Sequence, residues 1–166
     1  GMGRVTFHQI PTLEEVLNLS KGKILINIDK GYDYFKDVYA LLEKTGTTDQ
    51  VVIKSGYDYA KVKADNGDVL NKVIYMPIVN LNKPDAEKMI DSYKALKPVA
   101  IECCFSEVTP DVLRLLKKVN ENGSKIWINS LWASLNAGHD DDRAVELNEP
   151  DETWGWILKQ GAALIQ

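Results

Sequence analysis

The sequence has 166 residues, which is enough for one domain with a substantial core and too few for two domains of ordinary size. Apolar residues make up 45% and charged residues 27%, which is typical of a folded globular domain and excludes a disordered chain. The 20 basic and 24 acidic residues give a net charge of −4 without a basic cluster, which disfavours a nucleic-acid partner, and no apolar run is long enough to span a membrane.

Six short runs rich in Ile and Val predict a parallel βα-repeat. They begin near residues 24, 51, 73, 99, 125 and 162, and most are followed by a segment with helical periodicity. Their spacing is about that of one βα unit, which favours a parallel sheet wound with helices. Since an eight-stranded (β/α) barrel needs about 250 residues, we expect either an open sheet or part of a barrel.

Helix signals occupy the segments between these runs. A capping box that begins at Thr12 predicts a helix over residues 13–19, and Gly46 stands where the helix over residues 34–45 should end. Further signals predict helices that begin at Pro84 and at Thr109-Pro110, and a last helix that ends at Gly161 after a polar loop over residues 136–142.

Strand parity selects the polar residues near the carboxyl ends of the strands, where parallel α/β folds hold their ligands. In residues 24–29 and 125–129 the isoleucines share one face that suits packing against helices, and the residues between them face the interior. The same alternation applies to residues 51–55 and 101–105. The candidate site residues are Asp29, Lys54, Glu102, Trp127 and Asn129.

Most candidates also have a purely structural alternative. Asp29 is typical of a residue that begins a turn, and Trp127 is typical of a core residue. Glu102 lies in an apolar strand and needs a partner, which is either a functional group or a salt bridge with Lys54. His139, in an acidic segment, is a candidate metal ligand or proton shuttle, or else part of a solvated loop.

Several segments carry a specific resemblance to one enzyme family. Residues 10–17 read Ile-Pro-Thr-Leu-Glu-Glu-Val-Leu, and the strand over residues 22–29 ends in Asn-Ile-Asp. They resemble the helix Ile-Pro-Thr-Leu-Glu-Glu-Val-Leu and the strand Asn-Ile-Glu-Ile-Lys of glycerophosphodiester phosphodiesterases. Residues 51–56, 125–129 and 161–165 are similar to later strands of the same domain.

The resemblance implies a partial TIM (β/α) barrel of the PLC-like phosphodiesterase type, formed by a single truncated domain over residues 2–166. It implies metal-dependent hydrolysis of a glycerophosphodiester to glycerol 3-phosphate and an alcohol, with Mg²⁺ or Ca²⁺ as cofactor. Asp29 matches a metal-binding Glu of the family and is the expected metal ligand. The family's His-Arg-Gly, Glu-x-Asp and His-Asp motifs, which hold its two catalytic histidines and two further metal-binding carboxylates, do not occur in the sequence.

Parity then gives the other candidates their roles. Lys54 and Glu102 are candidate catalytic residues that shape the anionic pocket, and Trp127 and Asn129 are candidate substrate contacts. The expected partner is a small-molecule glycerophosphodiester, and the open edges of a partial barrel predict self-association. The alternative function is a noncatalytic partial barrel that binds phosphate esters or a partner protein. We expect a soluble chain without a signal peptide, which the resemblance would place in the periplasm or the cytoplasm.

Overall fold

Six parallel strands alternate with helices in the computed structural model, which describes residue 7 and residues 9–166. The strands are β1 (Ile26–Ile28), β2 (Val51–Ser55), β3 (Ile74–Asn80), β4 (Ala100–Cys104), β5 (Lys125–Ile128) and β6 (Ala162–Ile165). The helices are α1 (Leu13–Ser20), α2 (Phe35–Thr45), α3 (Tyr59–Asn66), α4 (Ala86–Ser92), α5 (Pro110–Glu121), α6 (Asp141–Glu146) and α7 (Trp154–Lys159). The predicted α/β class and its six strands are therefore confirmed.

The sheet is a curled half-barrel in which each strand pairs with the next strand along the chain. Right-handed crossovers between consecutive parallel strands place all the helices on one face of such a sheet. The side-chain Nδ2 of Asn27 on β1 donates to the side-chain Oε1 of Gln166 at 3.3 Å, and Gln166 directly follows β6. Only a strongly curled sheet brings its first and last strands this close, so the fold is a partial βα barrel.

The two faces of the sheet have the predicted parity. Alternate residues such as Ile53 and Ile126 are buried against the helices on the outer face. On the inner face, Val52, Met76 and Ala100 form a separate apolar cluster. The concave face of the half-barrel is thus partly filled by its own side chains, as in a packed barrel core.

Several helix ends follow from the residues that the sequence places there. Thr12 completes the predicted capping box, because its Oγ1 accepts from the amide of Glu15 while its own amide donates to the Glu15 carboxylate. Gly46 ends α2 with φ +66°, a left-handed conformation that favours glycine. Thr109 caps α5 by accepting from the amide of Val112 at 3.2 Å.

The start of β1 was predicted too early. Ile24 and Leu25 are 63% and 67% exposed, so Ile24 does not pack against the helices with the other isoleucines of its run. The turn after α1 continues through these residues, since the amides of Lys23 and Ile24 both point to the carbonyl oxygen of Ser20. Strand pairing begins only at Ile26, whose amide donates to the carbonyl oxygen of Gln50 at 2.9 Å.

Two further predictions are corrected. Pro84 does not start a helix, because the amide of Ala86 still closes a turn onto the carbonyl oxygen of Lys83, and α4 begins at Ala86. The polar loop predicted up to residue 142 ends earlier, because Asp140 caps α6 by accepting from the amide of Arg143. Within the described residues, none of the helices has both the length and the apolar character that crossing a bilayer requires.

Candidate functional site

Asp29 and Lys54 line one cavity at the carboxyl ends of β1 and β2. The cavity has a volume of about 360 Å³, and its wall also includes Tyr32, Asp33 and Tyr57. Asp29 is exposed at the end of β1, whereas Lys54 is buried, with 7% of its surface accessible. The structure therefore brings these two candidates together on one rim.

Lys54 and Glu102 form a buried ion pair inside the half-barrel. The Lys54 Nζ lies 2.8 Å from a carboxylate oxygen of Glu102, and both side chains are almost fully buried. The pair joins β2 to β4 across β3, which lies between them. Since an unpaired charge in this position would be very costly, the contact explains how an apolar strand accommodates Glu102. The salt-bridge alternative is thus what the structure contains.

Trp127 lies on the inner face and Asn129 directly follows β5, but neither lines this cavity. Trp127 packs on the inner apolar cluster, and its Nε1 is buried without a hydrogen-bond partner among the described residues. The side-chain oxygen of Asn129 accepts from the amide of Leu131 at 2.9 Å, so it stabilises the turn after β5. The structural alternative for Trp127 is therefore the arrangement observed.

His139 packs against α7 and does not line the cavity of Asp29 and Lys54. Its ring stacks on Trp156 with ring centroids 3.9 Å apart, and its Nδ1 lies 2.8 Å from the carbonyl oxygen of Glu152. The neighbouring acidic residues are also more ordered than a solvated loop. Asp140 is buried as a helix cap, and Asp141 accepts hydrogen bonds from Ser130 and Trp154.

The described residues do not fit a tightly bound divalent cation. No group of three or more His, Cys, Asp or Glu side chains that could hold a metal ion occurs in the described part of the chain. The carboxylates that line this cavity are those of Asp29 and Asp33, and a carboxylate oxygen of Glu102 is already bound to Lys54. Ca²⁺ takes about six to eight oxygen ligands and Mg²⁺ about six, so these side chains alone make a weak site.

A family profile described as a domain of unknown function, DUF4996, matches residues 75–166. This segment is more than half of the chain. The chain belongs to the DUF4996 family. The match begins in β3 and includes Glu102, Trp127 and Asn129, whereas Asp29 and Lys54 precede it. A comparison with curated proteins found no match.

The part of the cavity wall that precedes the DUF4996 segment contains residues that parity did not select. Gly-Tyr-Asp-Tyr occurs twice, at residues 31–34 and 56–59, each time just after a strand. The rings of Tyr32 and Tyr57 lie side by side with centroids 5.4 Å apart. Gly31 permits this close approach of the chain, since a Cβ there would lie 2.8 Å from the side chain of Ile28. The repeated tetrapeptide is the sequence signal that identifies these residues.

Proposed function

We propose that this protein takes part in metal-dependent hydrolysis of glycerophosphodiesters to glycerol 3-phosphate and an alcohol, on a partial TIM barrel of the PLC-like phosphodiesterase type. The observation that carries the proposal is the shared cavity of Asp29 and Lys54 at the carboxyl rim. A carboxylate beside an ammonium group suits a substrate whose phosphate is held by a cation on one side and by lysine on the other. The resemblance of residues 10–29 to glycerophosphodiester phosphodiesterases supports the same assignment.

The ion pair with Glu102 prepares Lys54 for this role. A lysine side chain is flexible, but the contact at 2.8 Å and the burial of both groups hold the ammonium in one position. One of its three N–H donors is used by Glu102, and the Lys54 residue also lines the cavity. A fixed donor needs no reorganisation when negative charge approaches, so Lys54 is the group that would orient a phosphate oxygen.

The charges around the cavity support a requirement for an added cation. Asp29 and Asp33 balance Lys30 and Lys54 along its wall. A phosphodiester anion therefore gains little net attraction from these four groups alone. A bound divalent cation would add positive charge and polarise the phosphoryl oxygens. Asp29 is one candidate ligand for it, and the motifs with the further ligands and the proton-transferring histidines that the resemblance implies do not occur in the sequence.

A second candidate function is a noncatalytic partial barrel that binds phosphate esters or a partner protein. The incomplete set of metal ligands favours it, and His139, the single histidine in the described part of the chain, stacks on Trp156 away from the cavity. The DNA upstream of the Met2 codon separates the two candidates. In-frame codons for His-Arg-Gly and Glu-x-Asp would support the hydrolase, and a stop codon would favour the binding protein.

The hydrolase proposal is tested by assaying the protein that the gene encodes. Glycerophosphocholine and glycerophosphoethanolamine are incubated with it in the presence of Mg²⁺ or Ca²⁺, and the release of glycerol 3-phosphate is measured. We expect release that depends on the divalent cation. No release with either substrate and either cation would contradict the proposal.

A further inference from the structure

Buried hydroxyl groups hold the main chain of Tyr57 behind the candidate cavity. Tyr57 follows β2 and lines the cavity together with Asp29 and Lys54. Its carbonyl oxygen accepts a hydrogen bond from the Tyr93 hydroxyl at 2.6 Å, and its amide donates to the Ser55 Oγ at 3.4 Å. The amide and the carbonyl of this rim residue are therefore both bound to side-chain hydroxyls.

A third hydroxyl joins these two partners. The Tyr75 hydroxyl lies 2.7 Å from the Ser55 Oγ and 3.2 Å from the Tyr93 hydroxyl. Ser55 ends β2, Tyr75 lies in β3 and Tyr93 directly follows α4. All three side chains are buried, and the two tyrosine rings stack with centroids 5.9 Å apart. They form a hydroxyl network that connects three elements of the fold.

The direction of each hydrogen bond in the hydroxyl network follows from its last acceptor. A hydroxyl has one proton to donate, and Tyr93 gives its proton to the carbonyl oxygen of Tyr57. Tyr93 therefore accepts from Tyr75, and Tyr75 in turn accepts from Ser55. The Ser55 oxygen accepts from the amide of Tyr57, so the circuit begins and ends on the main chain of one residue. Hydrogen bonds that point the same way strengthen one another.

Both phenols in this circuit keep their protons at physiological pH. Burial raises the pKa of Tyr75 and that of Tyr93 above the ordinary value of tyrosine. A phenolate has no proton to donate, so a charged tyrosine would interrupt the circuit. The network therefore stays intact in the pH range in which the protein is expected to act.

The side chain of Tyr57 and the end of its loop are fixed as well. The Tyr57 ring lies beside Tyr32, and the Lys61 ammonium, which Asp65 holds, is 4.9 Å from the Tyr57 ring centroid. At the start of α3 the amide of residue 59 donates at 3.3 Å to the last side chain of α4. The loop over residues 56–58 is thus held in one conformation on both sides of the residue that faces the cavity.

We propose that Tyr93 is a positioning residue of the candidate site, which acts through Tyr75, Ser55 and the main chain of Tyr57. The inference rests on the proposed function, because this loop forms one wall of the cavity beside Lys54. Without the Tyr93 hydroxyl, the Tyr57 carbonyl loses its donor and the Tyr75 hydroxyl loses its acceptor. The loop then samples further conformations, and each binding event has to order it again.

The first test measures the loop itself by amide hydrogen exchange in the 166-residue chain. In Tyr93→Phe we expect the Tyr57 amide to exchange about tenfold faster, which corresponds to one lost hydrogen bond, and the Ile53 amide in β2 to change less. The control Tyr39→Phe removes a hydroxyl that donates to Glu43 on α2, and it should leave both amides unchanged. Equal acceleration of the Tyr57 and Ile53 amides in Tyr93→Phe would overturn the proposal, because it would show only a loss of global stability.

The second test follows the turnover of glycerophosphocholine by the protein that the gene encodes. We expect Tyr93→Phe to raise KM about threefold to tenfold and to leave kcat within about twofold, because the loop shapes the wall of the cavity and does not supply a reacting group. A variant that is only less stable shows the opposite pattern, since a smaller folded fraction lowers the apparent kcat and leaves KM unchanged. A lower kcat at constant KM, or unchanged kinetics with faster exchange at Tyr57, would overturn the proposal.

A second variant covers the case in which Tyr93→Phe does not fold. Tyr75→Phe interrupts the hydroxyl network but leaves Tyr93 bound to Tyr57, so its effects on exchange and on KM should have the same direction and be smaller. No effect of Tyr75→Phe on either quantity would overturn the proposal. If the encoded protein releases no glycerol 3-phosphate, the proposed function fails, and the exchange measurement alone decides whether Tyr93 positions the loop.

Discussion

The Lys54 ammonium and the Glu102 carboxylate meet at 2.8 Å inside the curled sheet, where both are almost fully buried. The contact crosses β3 and links β2 to β4, so it is at once part of the core and part of the rim that borders the candidate cavity. A buried pair of this kind is held in place because either charge alone would be costly. Stability and candidate function therefore depend on the same contact.

Breaking this pair should destabilise the fold strongly. We expect Lys54→Met to lower the free energy of unfolding by about 3–5 kcal/mol, because Glu102 would remain as an unpaired buried charge. Replacing both partners, as Lys54→Met with Glu102→Leu, should recover most of the loss. Urea denaturation measures both, with Lys44→Met as the control, since that variant breaks an exposed pair with Glu14 worth less than about 1 kcal/mol. A loss for Lys54→Met no larger than for Lys44→Met would contradict the account.

The contact between α4 and α5 should make stability depend on acid pH. Hydrogen bonds from Arg114 and then from Lys118 lower the pKa of Glu87 from 4.5 to about 2. Because the folded-state pKa is the lower one, this stabilisation is complete above about pH 4.5 and is lost as the pH falls towards 2. Glu87→Gln should therefore have a lower Tm than the parent protein at pH 7, and the difference should shrink between about pH 4.5 and 2. A Tm difference that does not change with pH would contradict the assignment of this stabilisation to the hydrogen bonds of Glu87. An equal effect of Glu146→Gln, on the exposed face of α6, would contradict it as well.

The edges of the half-barrel should promote self-association. In the described sheet β1 and β6 each pair with one strand, and exposed apolar side chains, among them Leu25, lie next to β1. Unpaired backbone groups at such edges pair readily with another chain. Light scattering should give a mass above 18.6 kDa that rises with concentration. Leu25→Lys should reduce it more than Leu158→Lys on α7 does, and a monomer at all concentrations would contradict the prediction.

The 166-residue chain should bind divalent cations weakly. With Asp29 as the free carboxylate at the end of β1, we expect Ca²⁺ and Mg²⁺ to bind with dissociation constants of about a millimolar. Calorimetric titration should show this binding disappear in Asp29→Asn and persist in His139→Ala, because His139 stacks on Trp156 elsewhere. Micromolar binding, or binding lost only in His139→Ala, would contradict the proposed position of the site.

The sequence predicted the barrel-like sheet because parity and spacing are local properties of the chain. Parity assigns Lys54 and Glu102 to one face, but it gives no distance between them. Both a salt bridge and a functional role for Glu102 therefore stayed open. The stacking of His139 on Trp156 depends on how α6 and α7 fold back, which no local pattern encodes. Strand parity did not select residues 31–34 and 56–59 for the same reason. The repeated Gly-Tyr-Asp-Tyr is nevertheless a sequence pattern that could have identified them.

The most direct test of the proposed function is the turnover of glycerophosphocholine by the encoded protein, compared between Asp29→Asn and Asp49→Asn. The first change removes the candidate metal ligand, and the second makes the same substitution at an exposed residue just before β2, at the opposite end of the sheet. We predict that Asp49→Asn releases glycerol 3-phosphate as fast as the parent protein and that Asp29→Asn loses at least about 100-fold in kcat/KM, since even outer partners of a metal site contribute about 10- to 100-fold. Equal rates for the two variants, or no turnover by the parent protein, would contradict the account.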